Sequence, residues 1–263
     1  MDLAFIAAVG LVGGFCAGWI GLGGGIIIAP LLLYVPPIVG LSPFDMKEAA
    51  RLTVLQSLFG TATAGAVYFH AGQMHRRLVL WMGTIIALAA FAGAVVSELH
   101  VVSNHVLLAV FAGMAILAAA LMLRRPAAEA EAPDPINVAV PVQRGRAAAI
   151  ALAVGFLGGM VGQSGAFLTI PLLIHALRLP VRLAIGSALG ITFCAALAAS
   201  AGKLAGGAAI DWAFVAALVA GSLIGGQLGA ALGRRTSTGA LRYVLAAFIA
   251  ASAVRALLQV VAL

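Results

Sequence analysis

Apolar residues run along this chain in long uncharged blocks separated by short polar breaks. The blocks cover residues 3–35, 52–69, 78–97, 106–123, 147–174, 183–202, 212–233 and 236–241, the last continued as 243–254 after one arginine. Most are close to 20 residues, and a helix of that length, at about 1.5 Å per residue, crosses a hydrocarbon core of about 30 Å. Two blocks do not fit. As single helices, 3–35 and 147–174 would be about 50 Å and about 42 Å long, too long for one crossing and short for two. The segment between the halves, "RRPAAEAEAPDPINVAVPVQRGR", is rich in Pro, Ala and acid and reads as a linker. The chain thus divides into a first membrane repeat (1–123), a cytoplasmic linker (124–146) and a second membrane repeat (147–263).

The two long blocks resemble each other. "GFCAGWIGLGGGIIIAPLLL" at 14–33 lies over "GFLGGMVGQSGAFLTIPLLI" at 155–174 without a gap. Gly14, Phe15, Gly18, Gly21, Gly24 and Pro30 meet Gly155, Phe156, Gly159, Gly162, Gly165 and Pro171 at a constant offset of 141. Three further apolar runs follow in each half, so the sequence is an internal duplication.

Composition fixes the class. With 63% hydrophobic and 9% charged residues and a mean hydropathy of +1.15, the chain is an integral membrane protein and its partner is the lipid bilayer. The net charge of +7 does not point to nucleic acid, because the basic residues form no face or arm. They sit in the breaks between spans, as cytoplasmic loops require. The start "MDLAF" has no basic segment or cleavage site of a signal peptide, so the first apolar run is expected to be retained. Cys16 and Cys194 lie in apolar runs without metal or redox spacing and read as small buried hydrophobes.

The same charges orient the halves. Residues 70–77 carry Arg76 and Arg77, whereas 97–105 carry no Lys or Arg; in the second half 202–211 have one Lys and 233–242 three Arg. Equivalent loops therefore face opposite sides, and the repeats are inverted. Arg144 and Arg146 precede the second long block and Arg178 and Arg182 follow it, so it enters and leaves on one side. It is expected to be a hairpin turning at "GQSG", and the first block a hairpin from the opposite side turning at "GLGGG". The fold class is an all-α integral membrane protein of two inverted repeats, each a helical hairpin with a Gly-rich tip plus three transmembrane helices.

Two such tips would meet inside the membrane. Irregular backbone at that depth is tolerated where it is buried or lines a cavity, and inverted repeats with broken helices place a substrate there. The helix after each tip has unpaired N–H groups and a positive dipole end, a binding site for an anion without any Lys or Arg. Gly21, Gly23, Gly24 and Gly25, with Gly162, Gln163, Ser164 and Gly165, are the candidate tip residues. Thr53, Gln56 and Ser57 in one span, and Ser187 and Thr192 in its mate, are candidate lining donors. Thr53 and Ser187 have a bland alternative, since such hydroxyls often bond their own backbone. No Asp or Glu lies inside a clean span, which disfavours a cation as cargo. Gly14-x-x-x-Gly18, Gly155, Gly159 and Gly225-x-x-x-Gly229 read instead as close helix packing.

The "GxxxGxxGxGGG" hairpin, followed by Pro and Leu and repeated after a polar linker, resembles the sulfite exporter TauE/SafE family, also called toluene-sulfonate uptake permeases. "AIGSAL" at 184–189 and "GGAAIDW" at 206–212 are similar to further segments of that family. The resemblance implies a transporter of small sulfur-containing or organic anions in the bacterial inner membrane, with no cofactor, no metal and no enzymatic activity. The chain departs from the family pattern at Gly162-Gln163-Ser164-Gly165 and at "ARLTV", which lacks a serine after Thr53.

Two rival readings remain. A passive anion channel would share the site without alternating access. A rhomboid-like intramembrane serine protease would use Ser164 as nucleophile, but it needs a His base on another span. His175, the only His after Ser164, lies on the same short arm about 16 Å along a helix. The specific anion, the direction, the coupling ion and the oligomeric state are not written in the sequence.

Overall fold

The computed structural model describes residues 3–20, 25–42, 44–123, 144–163, 165–177, 179–206 and 210–236, with single residues 247 and 254 beyond them. Among these residues every regular element is helical: α1 (Leu3–Ile20), α2 (Gly25–Ile38), α3 (Met46–His70), α4 (Arg76–Glu98), α5 (Asn104–Leu123), α6 (Arg144–Val161), α7 (Ala166–Ala176), α8 (Val181–Ala205) and α9 (Trp212–Arg235). Five of them, α3, α4, α5, α8 and α9, are long and apolar enough to cross a membrane. The second over-long block is broken between Val161 and Ala166, and the first holds α1 and α2 on either side of residues outside the described set. Most of the linker, the first tip at Gly21, Gly23 and Gly24, and the last apolar run lie outside the described residues.

Polar residues at the breaks fix where helices begin. Asp45 caps α3 in a reciprocal box: its carboxylate accepts from the Glu48 N–H at 2.7 Å, and the Asp45 N–H donates to the Glu48 carboxylate at 3.1 Å. His75 Nδ1 accepts from the Leu78 N–H at the start of α4, and Asp211 accepts from the Ala213 and Phe214 N–H groups at the start of α9. These caps extend the helices past the apolar runs, so α3 starts at residue 46 rather than 52.

Packing exchanges elements between the halves. α1 lies along α9, and α6, which repeats α1, lies along α4. Gly10, Gly14 and Gly18 meet Leu218, Ser222 and Gly226 in rising order, so α1 and α9 run parallel. A Cβ on Gly18 would overlap the Gly226 carbonyl, and one on Gly159 the Ala90 carbonyl. Likewise Gly229 sits on the Phe15 carbonyl and Gly93 on the Phe156 carbonyl. The first-helix members of these matched contacts differ by 141 residues and the α4/α9 members by 136, so both interfaces are built on one plan. The glycines are where helix axes approach too closely for any side chain. α3 and its repeat α8 cross antiparallel, with Gly65 at Leu189 and Tyr68 at Gly186.

The outward faces are apolar. Leu80 and Leu88 are each 72% exposed and Leu228 57%, while buried positions of the same helices include Gly83, Ala90, Ser97 and Ser222. In water such a surface would aggregate; against lipid tails it is neutral.

Candidate functional site

The second tip is a tight turn held from two sides. Gly162 and Gly165 have φ of 75° and 68°, left-handed backbone that glycine adopts without strain. Space requires glycine as well, since a Cβ on Gly162 would overlap the Ala50 carbonyl of α3. The Gln163 N–H donates back to the Gly158 carbonyl at 3.0 Å, closing the end of α6. Gly165 then caps α7 with no side chain accepting from its first N–H groups.

Thr53 ties this turn to α3. Its hydroxyl lies 2.8 Å from the Ala49 carbonyl, 3.2 Å from that of Ala50 and 3.1 Å from that of Gly162. One hydroxyl proton is shared among these three carbonyls, that of Ala49 being the nearest, so Thr53 stands between its own helix and the tip. Gln56 and Ser57 follow on the same face of α3, three and four residues later, and both are buried. The Ser57 carbonyl accepts from Thr61 Oγ1 at 2.6 Å.

Gln163 crosses from the second tip to the first hairpin. Its Cα lies 3.2 Å from where a Cβ on Gly25 would stand, and its Cγ 3.3 Å. Gly25 is the first residue of α2, immediately after the first tip. The turn between α6 and α7 therefore touches the start of α2, far away in sequence. Gln163 is 2% exposed, and among the described residues neither its amide nitrogen nor its amide oxygen has a hydrogen-bond partner. The same holds for fully buried Gln56, which lines a small cavity with Gly14, Gly18, Gly60 and Ser222. An unpaired buried amide costs about 1–3 kcal/mol, so two of them are an expense that a polar guest would offset.

Other candidates are placed differently. Ser187 is buried on α8 and accepts from the His75 N–H at 3.0 Å, which fastens the turn between α3 and α4. Thr192 is buried on α8, and its hydroxyl has no partner. Ser187 precedes Lys203 by sixteen residues on α8, about 24 Å of helix, and Lys203 lies beside the second tip. The structure thus gathers Gly25, Thr53, Gly162, Gln163 and Gly165 at one point and leaves Ser187 at a distance. Gly21, Gly23, Gly24 and Ser164 lie outside the described residues.

Two charged positions depart from the sequence reading. Lys203, read as a loop charge, belongs to α8, and its side chain is 1% exposed. Its ammonium donates to Ser97 Oγ at 2.6 Å and to the Met160 carbonyl at 3.2 Å, and it lies 3.1 Å from the Glu98 carboxylate. Glu98, one residue past the 78–97 run, is a buried acid at the end of α4 that the run boundaries missed. It also pairs with Arg51 of α3, Nη2 to Oε2 at 2.6 Å. The signal was available. The predicted topology puts the start of the 52–69 span and the ends of 78–97 and 183–202 on one side, so Arg51, Glu98 and Lys203 bound three apolar runs at one face. Among the described residues no cluster of His, Cys, Asp and Glu could hold a metal ion.

The comparisons agree with this architecture. Over 203 residues the chain is 28% identical to a probable membrane transporter protein, YunE, of Bacillus subtilis strain 168, covering 70% of this chain and 72% of that one. It is 30% identical over 175 residues to a probable membrane transporter protein of Xylella fastidiosa strain 9a5c, covering 66% of this chain and 63% of the relative. No solved structure matches it. The family model described as Sulfite exporter TauE/SafE matches residues 6–256. Nearly the whole chain is thus accounted for by one family of multi-pass membrane transporters, and the protein belongs to the sulfite exporter TauE/SafE family.

Proposed function

We propose that this protein is a secondary transporter of a small anion, a sulfur oxyanion or an organosulfonate, across the bacterial inner membrane by alternating access. The observation that carries this reading is the contact of Gln163 with Gly25. It joins the turn before α7 to the start of α2 around a buried amide that has no partner among the described residues. An amide N–H₂ and the first N–H groups of α7, ahead of the Leu168 N–H that bonds the Gly165 carbonyl, are donors, and oxyanion oxygens are acceptors. Thr53 keeps the tip in register while leaving those donors unoccupied.

The matched contacts of α1 with α9 and of α6 with α4 support two inverted halves. Such halves rock about a site that both contribute to. The protein is expected to act without cofactor, metal or nucleic acid.

The test is counterflow. In proteoliposomes loaded with unlabelled sulfite, external labelled sulfite should accumulate transiently, with a flux that saturates. Gln163→Ala should lower it by about 10- to 100-fold, the equivalent of one hydrogen bond to a charged group. Flux that rises linearly without counterflow identifies a channel, and full activity of the Gln163→Ala protein removes the tip from the site.

A further inference from the structure

The buried ion cluster beside the tip has an odd charge count. Arg51 and Lys203 are cations and Glu98 is the one anion among them, so the cluster carries a single net positive charge. It is bonded to the helix before the tip through Lys203, and Arg51 is flanked by residues that touch the tip. Lys203 Nζ donates to the carbonyl of Met160, three residues before Gln163. Arg51 lies between Ala50, whose carbonyl abuts Gly162, and the Thr53 turn that bonds the Gly162 carbonyl. Further charges at this end, Asp45, Lys47, Glu48 and Asp211, are nearer the surface. The Asp45 and Glu48 carboxylates accept from N–H groups of their own capping box, and Lys47 Nζ donates to the Leu99 carbonyl. A buried charge acts over longer range than these, because water and salt screen it less.

We propose that Arg51, Glu98 and Lys203 together tune the preference of the site between singly and doubly charged anions, Glu98 holding it toward the singly charged one. This rests on the anion-transport reading of the tip. The cluster does not touch the anion. It fixes the local potential, Glu98 trimming two positive charges to one. Without Glu98 the potential doubles and favours a dianion; without Lys203 it vanishes. A unit charge on the order of 10 Å away, at an effective dielectric of ~20, changes the affinity of a monoanion roughly tenfold and that of a dianion by the square of that factor. The preference between the two therefore moves by roughly tenfold per charge.

The experiment uses two probes whose charges do not change near neutral pH, methanesulfonate (monovalent) and sulfate (divalent). Each competes for uptake in proteoliposomes holding the full chain. The wild-type ratio of apparent affinities is the reference. Glu98→Gln should shift the ratio of apparent affinities about tenfold toward sulfate, and Lys203→Gln should shift it about tenfold the other way. The double variant, Glu98→Gln with Lys203→Gln, returns the charge to +1 and should restore the wild-type ratio, which a loss of packing would not do. All four proteins are compared as monodisperse fractions, and the ratio is independent of how much of each is active. Unchanged ratios in both single variants, or a double variant that fails to revert, overturn the proposal while leaving anion transport standing. A wild type that moves neither probe nor sulfite overturns the transport reading, and this inference with it.

Discussion

Gln163 lies against Gly25 with its Cα 3.2 Å from the place where a Gly25 side chain would start. One residue belongs to the turn before α7 and the other opens α2, 138 positions earlier. At 3.2 Å the neighbour must give by a few tenths of an ångström to admit a methyl, and by far more for a branched side chain. Gly25→Ala is therefore expected to keep measurable sulfite uptake, and Gly25→Val to lose it by more than tenfold. The amount of membrane-inserted protein should stay near wild type, because this contact joins two turns and is not a helix interface. Uptake of Gly25→Val at the wild-type rate would show that the turns need not touch.

Gln56 and Gln163 should give changes of opposite sign in stability and activity. Each is buried with both amide atoms unpaired. Replacing an unsatisfied amide by an apolar side chain of similar volume removes a cost of about 1–3 kcal/mol. Gln56→Met and Gln163→Met are thus expected to raise the melting temperature in detergent by a few degrees while lowering anion uptake. A residue kept for packing would give the reverse. A fall in melting temperature with transport intact would mean the glutamines serve the fold.

Much of this was legible in one dimension because the protein repeats itself. The offset of 141 aligned Gly18 with Gly159, and the structure seats both on backbone carbonyls, of Gly226 and Ala90. The over-long blocks announced their breaks by length alone, and Gly162 and Gly165 mark the second break. Charge pairing was not legible in the same way. Run boundaries assign each charged residue to a loop, yet Lys203 has a stem long enough to stay on α8 and reach Glu98 on α4 and Met160 on α6. Ser187, read as a lining donor, accepts from the His75 N–H at the turn between α3 and α4, a partner that no spacing in the sequence announces.

The packing glycines allow a matched test. Gly18→Ala and Gly159→Ala would each drive a methyl into a carbonyl on the facing helix. Overpacking of this kind costs about 1–3 kcal/mol, so both should melt several degrees below wild type, and by similar amounts because the two interfaces share one plan. Gly113, inside α5, has nothing within 4 Å of its would-be Cβ. Gly113→Ala should be neutral or stabilise by about 0.5–1 kcal/mol through backbone entropy. Thermal unfolding of the three purified variants decides the matter. Equal effects at all three positions would mean that the glycines are not interface residues.

The opposed directions of α3 and α8 lead to a statement about sides. Gly65 meets Leu189 while Tyr68 meets Gly186, so the two helices run antiparallel, and the turns that follow them emerge at opposite ends of the bundle. Gly72 lies in the first of these turns and Ile210 in the segment after α8. Arg76 and Arg77 follow Gly72 by four and five residues, and positive residues favour the cytoplasm. In a background of Cys16→Ala and Cys194→Ala, Gly72→Cys should resist a membrane-impermeant maleimide in intact cells and react once the membrane is opened. Ile210→Cys should react in intact cells without that step. Labelling of both from the same side would require α3 and α8 to enter the membrane in the same direction. Their contacts could not then be those of two inverted halves, and a binding site shared between opposed hairpins would lose its basis.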